Sequence, residues 1–460
     1  MREFVRLAGA LLLLFLILRI RVKLDRLQRP SVAPPSWLRS FIGASELAYL
    51  RDYDFFYTIH QAPDKRDNFL VWMQEATWHV PFKDLPFTPV LSCEPGHSAL
   101  FNRFDWQVVP PTAWEIPRET FDSATEAKNN MRLAGCHPVN PTQWRNGSTE
   151  HPNPKTVWAV AHGVERLLRL AEERLQPDDA GERTVVFSGT EMPLSWAFGR
   201  SPVERNATIM RLRRYFKRII FQIKDIELEH VLAAPMGFCW GYFMQLLPKW
   251  ALGANTSRRR LAKSFMEFSD IIGGSVENKT KGILAPGAFV ASWLEEPRIP
   301  RMCRYYDKVG VLFPPSNTST QVIVDAYESR RQMRSWAESS AARAAGVEFR
   351  KVPVSEWYFE LSQYRFLMSP IGSAIQSAKT YEALSVLTVP IIVRMNYVLH
   401  DELVSLGFPM VVIEGWAEIT KGAVDRWWKA LSPRLESFRR NCLTVDGYWR
   451  MYTGQTTYCS

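Results

Sequence analysis

The chain is poor in the residues that mark most metal and redox proteins. It has 8 His and 6 Cys in 460 residues, with no Cys-x-x-Cys pair and no zinc-type His/Cys spacing. Zinc modules and thioredoxin-like redox sites are therefore excluded by spacing alone. A Gly-x-Gly-x-x-Gly fingerprint is missing, as is a Gly-x-Ser-x-Gly elbow, so an ordinary dinucleotide enzyme and an α/β-hydrolase nucleophile lack their sequence support. There is no internal repeat, low-complexity tract or arginine-rich run, which removes solenoids, disordered tails and the usual basic nucleic-acid arm.

What is present is a globular amount of apolar material, 46% hydrophobic and 13% aromatic, in a length that suits two or three full-sized cores. The net charge of +10 favours anionic partners such as nucleotide sugars, acidic glycans or lipid head groups, with a solvated basic surface as the plain alternative.

Residues 7–18 carry no charge and lie between Arg2 and Arg6 on one side and Arg19, Arg21 and Lys23 on the other. The run is short for a bilayer span, but residues 4–20 reach across a thin membrane if Arg6 and Arg19 snorkel. No small-x-small cleavage site follows, which favours an uncleaved anchor over a signal peptide. Charge on both flanks leaves topology open. Five sequons, at Asn146, Asn206, Asn255, Asn278 and Asn317, and an even number of widely spaced cysteines fit a lumenal body, although six thiols fit equally and the disulfide pairing stays open. Pro30, Pro34 and Pro35 read as an extended stem.

Residues 49–144 are rich in Trp, Tyr, Phe and Pro, which suits a packed core and, for single rings, sugar stacking. A strand–helix–strand rhythm then sets in: residues 157–175 read as an amphipathic helix, 184–188 as a buried strand, 209–216 as a helix and 218–222 as a strand. Glu191 follows a strand, where doubly wound sheets place ligands, and with Asp225 and His230 it forms the set of candidate general bases. Such acids also cap helices.

The densest unit is residues 365–393. Phe366-Leu-Met368 is a strand stopped by Ser369-Pro370, Gly372 lets the loop bend, Ser377 offers a cap, a helix runs over 378–387, and Val389-Pro-Ile-Ile-Val393 is a second buried strand. The first amides of that helix, with Gly372, Ser373 and Lys379, form an anion cradle, and Glu382 one turn on is placed to accept ribose hydroxyls. A solvated Lys379–Glu382 helix pair is the structural alternative. Residues 323–345 read as one long helix carrying Arg330, Arg331 and Arg334, and two final helices are expected over 420–431 and 433–442.

Ser369-Pro370-x-Gly372, Lys379-Thr-Tyr-Glu382-Ala-Leu384, Pro390-Ile-Ile and the later Trp416-Ala-Glu-Ile419 together resemble the donor-binding half of the exostosin-like glycosyltransferases, which include the related ribitol xylosyltransferase. Phe221-Gln-x-x-Asp225 and Pro235-x-Gly237 echo the family's first domain. Three positions depart from the pattern: Lys379 stands for an Arg, Leu387 for a Gly, and Gln376 where relatives often have an acid. A lysine keeps the charge but loses the bidentate fork.

The resemblance implies an α/β, GT-B type fold of two Rossmann-like doubly wound domains facing a cleft. The expected order is tail and signal anchor at 1–26, stem at 27–45, acceptor domain at 46–245, linker at 246–274 and nucleotide-sugar-binding domain at 275–460. The activity it implies is sugar transfer from a nucleotide sugar to a glycan or glycoprotein acceptor, with no metal or other cofactor required and no nucleic acid. The expected location is a single-pass type II protein of the Golgi or endoplasmic reticulum membrane with a lumenal body. Gly372, Ser373, Lys379, Glu382 and Arg331 would hold the donor, and Glu191, Asp225 or His230 would activate the acceptor. The alternative is a catalytically inactive relative that binds a glycan or scaffolds partners.

Overall fold

In the computed structural model the chain divides into two compact units, Met1–Tyr49 and Leu50–Ser460. The structure describes residues 87–88, 100, 103–108, 152–179, 181–189, 192–199, 201–239, 271–287, 317–353, 356–372 and 375–460, all in the second unit. The expected anchor, the stem, Glu191, Ser373 and the sequons at Asn146 and Asn255 lie outside them. No described helix is long and apolar enough to cross a membrane.

Two parallel sheets of five strands each define an α/β fold. A short pair, β1 (Phe87–Thr88) with β7 (Phe238–Cys239), stands beside them. The first sheet holds β2 (Trp106–Val108), β3 (Thr156–Val160), β4 (Thr184–Ser188), β5 (Arg218–Phe221) and β6 (Val231–Ala233), side by side in sequence order. The second holds β8 (Lys281–Pro286), β9 (Val347–Arg350), β10 (Tyr364–Met368), β11 (Val389–Val393) and β12 (Val411–Ile413), in the order β12-β11-β10-β8-β9. From β8 the chain moves to β9 on one side and then to β10 on the other. The crevice at the carboxyl ends of β8 and β10 is thus a topological switch point, where open α/β sheets bind ligands.

Uniform apolar runs explain the central strands. Every residue of β3, β4 and β11 is buried, as sheets covered on both faces require. Pro390 is tolerated inside β11 because β12 starts opposite Ile391, so that side of the ladder asks for no donor at Pro390. The strand β3 also corrects the expected helix over 157–175. β-branched and aromatic residues take 156–160 as strand, a 3-10 turn follows, and helix α1 (Val164–Arg174) buries Val164, Leu167, Leu168 and Ala171 at helical spacing.

The first sheet also carries the short α2 (Leu194–Ala197) and α3 (Pro202–Tyr215). In α3 Ser201 and Glu204 form a capping box and Pro202 opens the first turn. The second half of the chain adds α4 (Asn317–Ala337), α5 (Ser340–Ala344), α6 (Trp357–Leu361), α7 (Ala378–Ser385), α8 (Leu399–Ser405), α9 (Lys421–Asn441) and α10 (Val445–Tyr452). The two helices expected over 420–442 are one: α9 runs through Pro433. Its apolar side, with Val424 and Leu435 buried and Trp427, Trp428 and Leu431 against the core, holds it continuous despite the lost donor.

The helix α10 returns to the first sheet. Trp449 meets Phe104 edge to face at 5.2 Å, Tyr452 Oη donates to Pro235 O at 3.2 Å, and Arg218 donates to Met451 O and Tyr452 O at 2.9 and 3.0 Å. A disulfide, Cys442–Cys459, closes the segment that contains this helix.

Candidate functional site

The candidate site begins where β10 ends. Ser369 N donates to Ile391 O at 2.9 Å and so extends the ladder one residue beyond the strand. Its Oγ shares a 3.1 Å hydrogen bond with Thr380 Oγ1, which ties the loop to the first turn of α7. Ile371 N donates to Ser329 Oγ, at 3.3 Å, on the buried side of α4. Gly372 is buried. Ser377 holds the N-cap position with extended backbone angles, although its side chain makes no capping bond. Loop, α4 and α7 therefore converge on the switch crevice.

Lys379, half-buried at the second position of α7, has its pKa pushed down to about 8. Burial is the main cause, the charge of Arg330 adds to it, and the nearby Glu382 carboxylate opposes both. Two cations so close, beside the start of a helix, form a setting in which a bound anion would relieve repulsion.

Of the three arginines that the sequence offers on this helix, Arg330 and not the named Arg331 acts on Lys379. Arg331, the named candidate, is exposed and donates twice to Glu328, at 2.8 and 2.6 Å, while Arg334 bonds Glu338 at 3.2 Å. Neighbouring helix positions differ by about 100° in direction, and only Arg330 is turned toward α7. The buried positions Val322, Ala326, Ser329 and Met333 mark the inner face of α4 and form the signal that selects residue 330 over 331.

Glu382 lies deeper than a surface ribose contact would place it. It is 4% exposed, and Trp357 Nε1 donates to its Oε2 at 2.7 Å. Burial raises its pKa, opposed by Lys379 and by the indole bond. In this geometry its clear roles are to hold α6 against α7 and to set the field at Lys379. Glu418, in the Trp416-x-Glu418 segment, turns back to accept from Glu414 N and Gly415 N at 2.7 and 3.1 Å, so that motif residue caps a turn. Leu387, where the resembling family has Gly, has φ of 61°, the left-handed region that glycine enters without strain.

The carboxyl edge of the first sheet faces this unit. Gln376 Nε2 donates to Gln222 O and, at 2.8 Å, to Ala234 O; its Oε1 accepts from Tyr381 Oη and, at 2.8 Å, from Met236 N. Gln222 Oε1 in turn accepts from Gly189 N at 2.9 Å. An amide is needed here because the site presents two acceptors and two donors at once. On α8, Glu402 pairs with Lys224 and accepts from Ala233 N at 3.0 Å. These bonds join the two sheets directly, and nothing in the local pattern around Gln376 or Glu402 points to them.

The first-sheet base candidates separate in space. Asp225 follows β5 at the facing carboxyl edge and is 8% exposed. It accepts from Ser195 N at 2.9 Å and from Ser195 Oγ. Burial raises its pKa, with the Ser195 bonds and then Arg205 opposing. His230 precedes β6 at the opposite, amino edge, with φ of 70° and its Nε2 3.2 Å from the Glu229 carboxylate. In a parallel sheet that placement separates it from the Ser369–Gly372 loop by the length of the strands, so of the two described candidates Asp225 alone is on the correct edge.

A strained turn completes the rim. Met395 and Asn396 both have positive φ, 50° and 64°, and Tyr397 N donates to Arg394 O at 2.9 Å. Tyr397 Oη donates to Asp325 Oδ2 on α4 at 2.6 Å, and burial, that bond and the Asp325 and Asp225 charges all raise its pKa. Arg394 anchors the turn through Asp401 at 2.7 and 2.9 Å and through Glu414. Among the described residues no three His, Cys, Asp or Glu side chains gather around one point as a metal would require. No protein-family model matches the chain and no curated protein matches it.

Proposed function

We propose that the chain is a nucleotide-sugar-dependent glycosyltransferase of GT-B architecture, with the donor diphosphate at the Ser369–Gly372 loop and the acceptor entering from the first sheet. One observation carries the reading. The glycine loop, the start of α7 and the cations Lys379 and Arg330 converge on the switch point of the second sheet and face the carboxyl edge of the first.

The chemistry follows from that placement. As the bond between sugar and diphosphate breaks, negative charge grows on the leaving phosphate, and Lys379, Arg330 and the loop amides stabilise it at fixed positions. Asp225 removes the acceptor proton, because desolvation makes this carboxyl a stronger base than an exposed one. Glu191 is the remaining candidate for that role. A lumenal location behind an N-terminal anchor belongs to the same proposal, since sugar nucleotides and glycan acceptors meet in that compartment.

The test is a panel of nucleoside diphosphates and nucleotide sugars measured for stabilisation of the protein, with transfer assayed for whichever binds. Lys379→Ala and Arg330→Ala should each weaken the best nucleotide about tenfold or more, and Arg331→Ala should leave it unchanged. Failure of every nucleotide to bind would overturn the reading.

A second reading, a sugar- or glycan-binding protein without transfer, is favoured by Gln376. This residue stands where the resembling enzymes often carry an acid, and all its hydrogen-bonding capacity is used in joining the sheets. Nucleotide-independent glycan binding, unaffected by Lys379→Ala, would select it.

A further inference from the structure

A pocket of about 270 Å³ lies away from the glycine loop, between the β5–β6 face of the first sheet, α8 and the residues around the end of α10. Its floor is Ile220 and Leu232, paired in register across the two strands, and Leu406 contributes an apolar wall. Leu232 is 43% exposed although its strand neighbours Val231 and Ala233 are buried. Leu232 thus leaves apolar surface open to the cavity, and a ligand with an apolar body would cover it.

The charged lining gives the other half of the ligand. Lys224, 4% exposed, is paired with Glu402. Arg218 is half-buried and donates only to the carbonyls of Met451 and Tyr452, with no carboxylate partner among the described residues. The pocket therefore carries two cations against one anion, and a single negative charge would balance it. Burial lowers the pKa of Arg218, which is the cost of desolvating a guanidinium without a counter-ion.

We infer that this pocket is a binding site for a small amphipathic monoanion, a medium-chain carboxylate with its head at Arg218 and its hydrocarbon along Leu232, Ile220 and Leu406. Because the lining comes from the first sheet, from α8 and from the C-terminal segment, an occupant would brace the contact between the two halves. The inference is independent of the proposed transferase activity.

The probe is octanoate, titrated against the full chain by thermal shift and calorimetry, with octylamine and octan-1-ol as controls of opposite and no charge. Octanoate should bind saturably and raise the melting temperature, and octylamine should not bind. Leu232→Trp, which fills the pocket and removes no polar partner, should weaken octanoate at least tenfold, as should Arg218→Gln. If Arg218→Gln fails to fold, Leu232→Trp with the octylamine comparison decides. The inference falls if octanoate gives no saturable binding, if Leu232→Trp binds it like the wild type, or if octylamine binds equally well.

Discussion

Gln376→Ala is the substitution whose effect can be worked most completely from the structure. It removes two donor bonds, to Gln222 O and Ala234 O, and the acceptor for Met236 N and Tyr381 Oη. Met236 N keeps a second partner, because it also donates to Tyr381 Oη at 2.9 Å. The two carbonyls and the buried Tyr381 hydroxyl proton are thus left without their partners, each worth about 1–3 kcal/mol when unsatisfied, so the variant should lose at least roughly 3 kcal/mol. Urea unfolding followed by tryptophan fluorescence measures this as a shift in midpoint at constant slope. Gln376→Glu gives a sharper form of the same test. It keeps the shape and the acceptor oxygen but sets a carboxylate against two carbonyl oxygens, so its folded pKa must be raised above the unfolded value. A raised carboxyl pKa costs nothing below the unfolded value near 4.3, and the cost grows as pH rises through the interval up to the folded pKa. Gln376→Glu should therefore lie closest to wild-type stability near pH 4 and fall furthest behind above neutrality. A Gln376→Ala protein within about 0.5 kcal/mol of wild type, or a Gln376→Glu protein whose deficit does not depend on pH, would refute the assignment of this amide as the join between the sheets.

Three other outcomes are expected. Lys279 is buried, donates to Thr388 Oγ1 at 2.7 Å, and has its pKa pushed down to about 6 by burial and by Arg439, so the unfolded chain binds one more proton between that value and 10.5. Stability should rise with pH across this interval by up to about 1.4 kcal/mol per unit from this group, and Lys279→Met should be more stable at pH 7 and lose that slope; an unchanged slope in melting temperature from pH 7 to 9 sinks the argument. Leu387→Gly relieves a left-handed strain of roughly 1 kcal/mol but removes a side chain that is 1% exposed in the second core, so a net loss of about 2–4 kcal/mol is expected by denaturant unfolding, and a neutral result would show that strain outweighs packing. Reducing Cys442–Cys459, a separation of 17 residues, should cost about 3 kcal/mol and should raise amide exchange first in α10; exchange spread evenly over both sheets would contradict that order.

The readable parts of this protein were those in which one segment suffices to specify one element. The strands β4 and β11 declare themselves because short, wholly apolar runs between turn residues have few other uses, and the Ser369–Gly372 loop because proline and glycine act on their own backbone. The helix α4 showed as a long pattern, but whether Arg330 or Arg331 meets α7 depends on which side of that helix the sheet lies, and adjacent residues answer oppositely. Glu382 read as a surface acceptor because its indole partner sits 25 residues away, and Gln376 as a lost acid because its acceptors are 154 and 142 residues away. The union of the predicted final helices across Pro433, the return of α10 to the first sheet and the choice of Cys459 as the partner of Cys442 belong to the same class. Local chemistry determined which segments become strands, helices and turns; burial against distant chain determined which of their side chains hold the fold and which remain for a ligand.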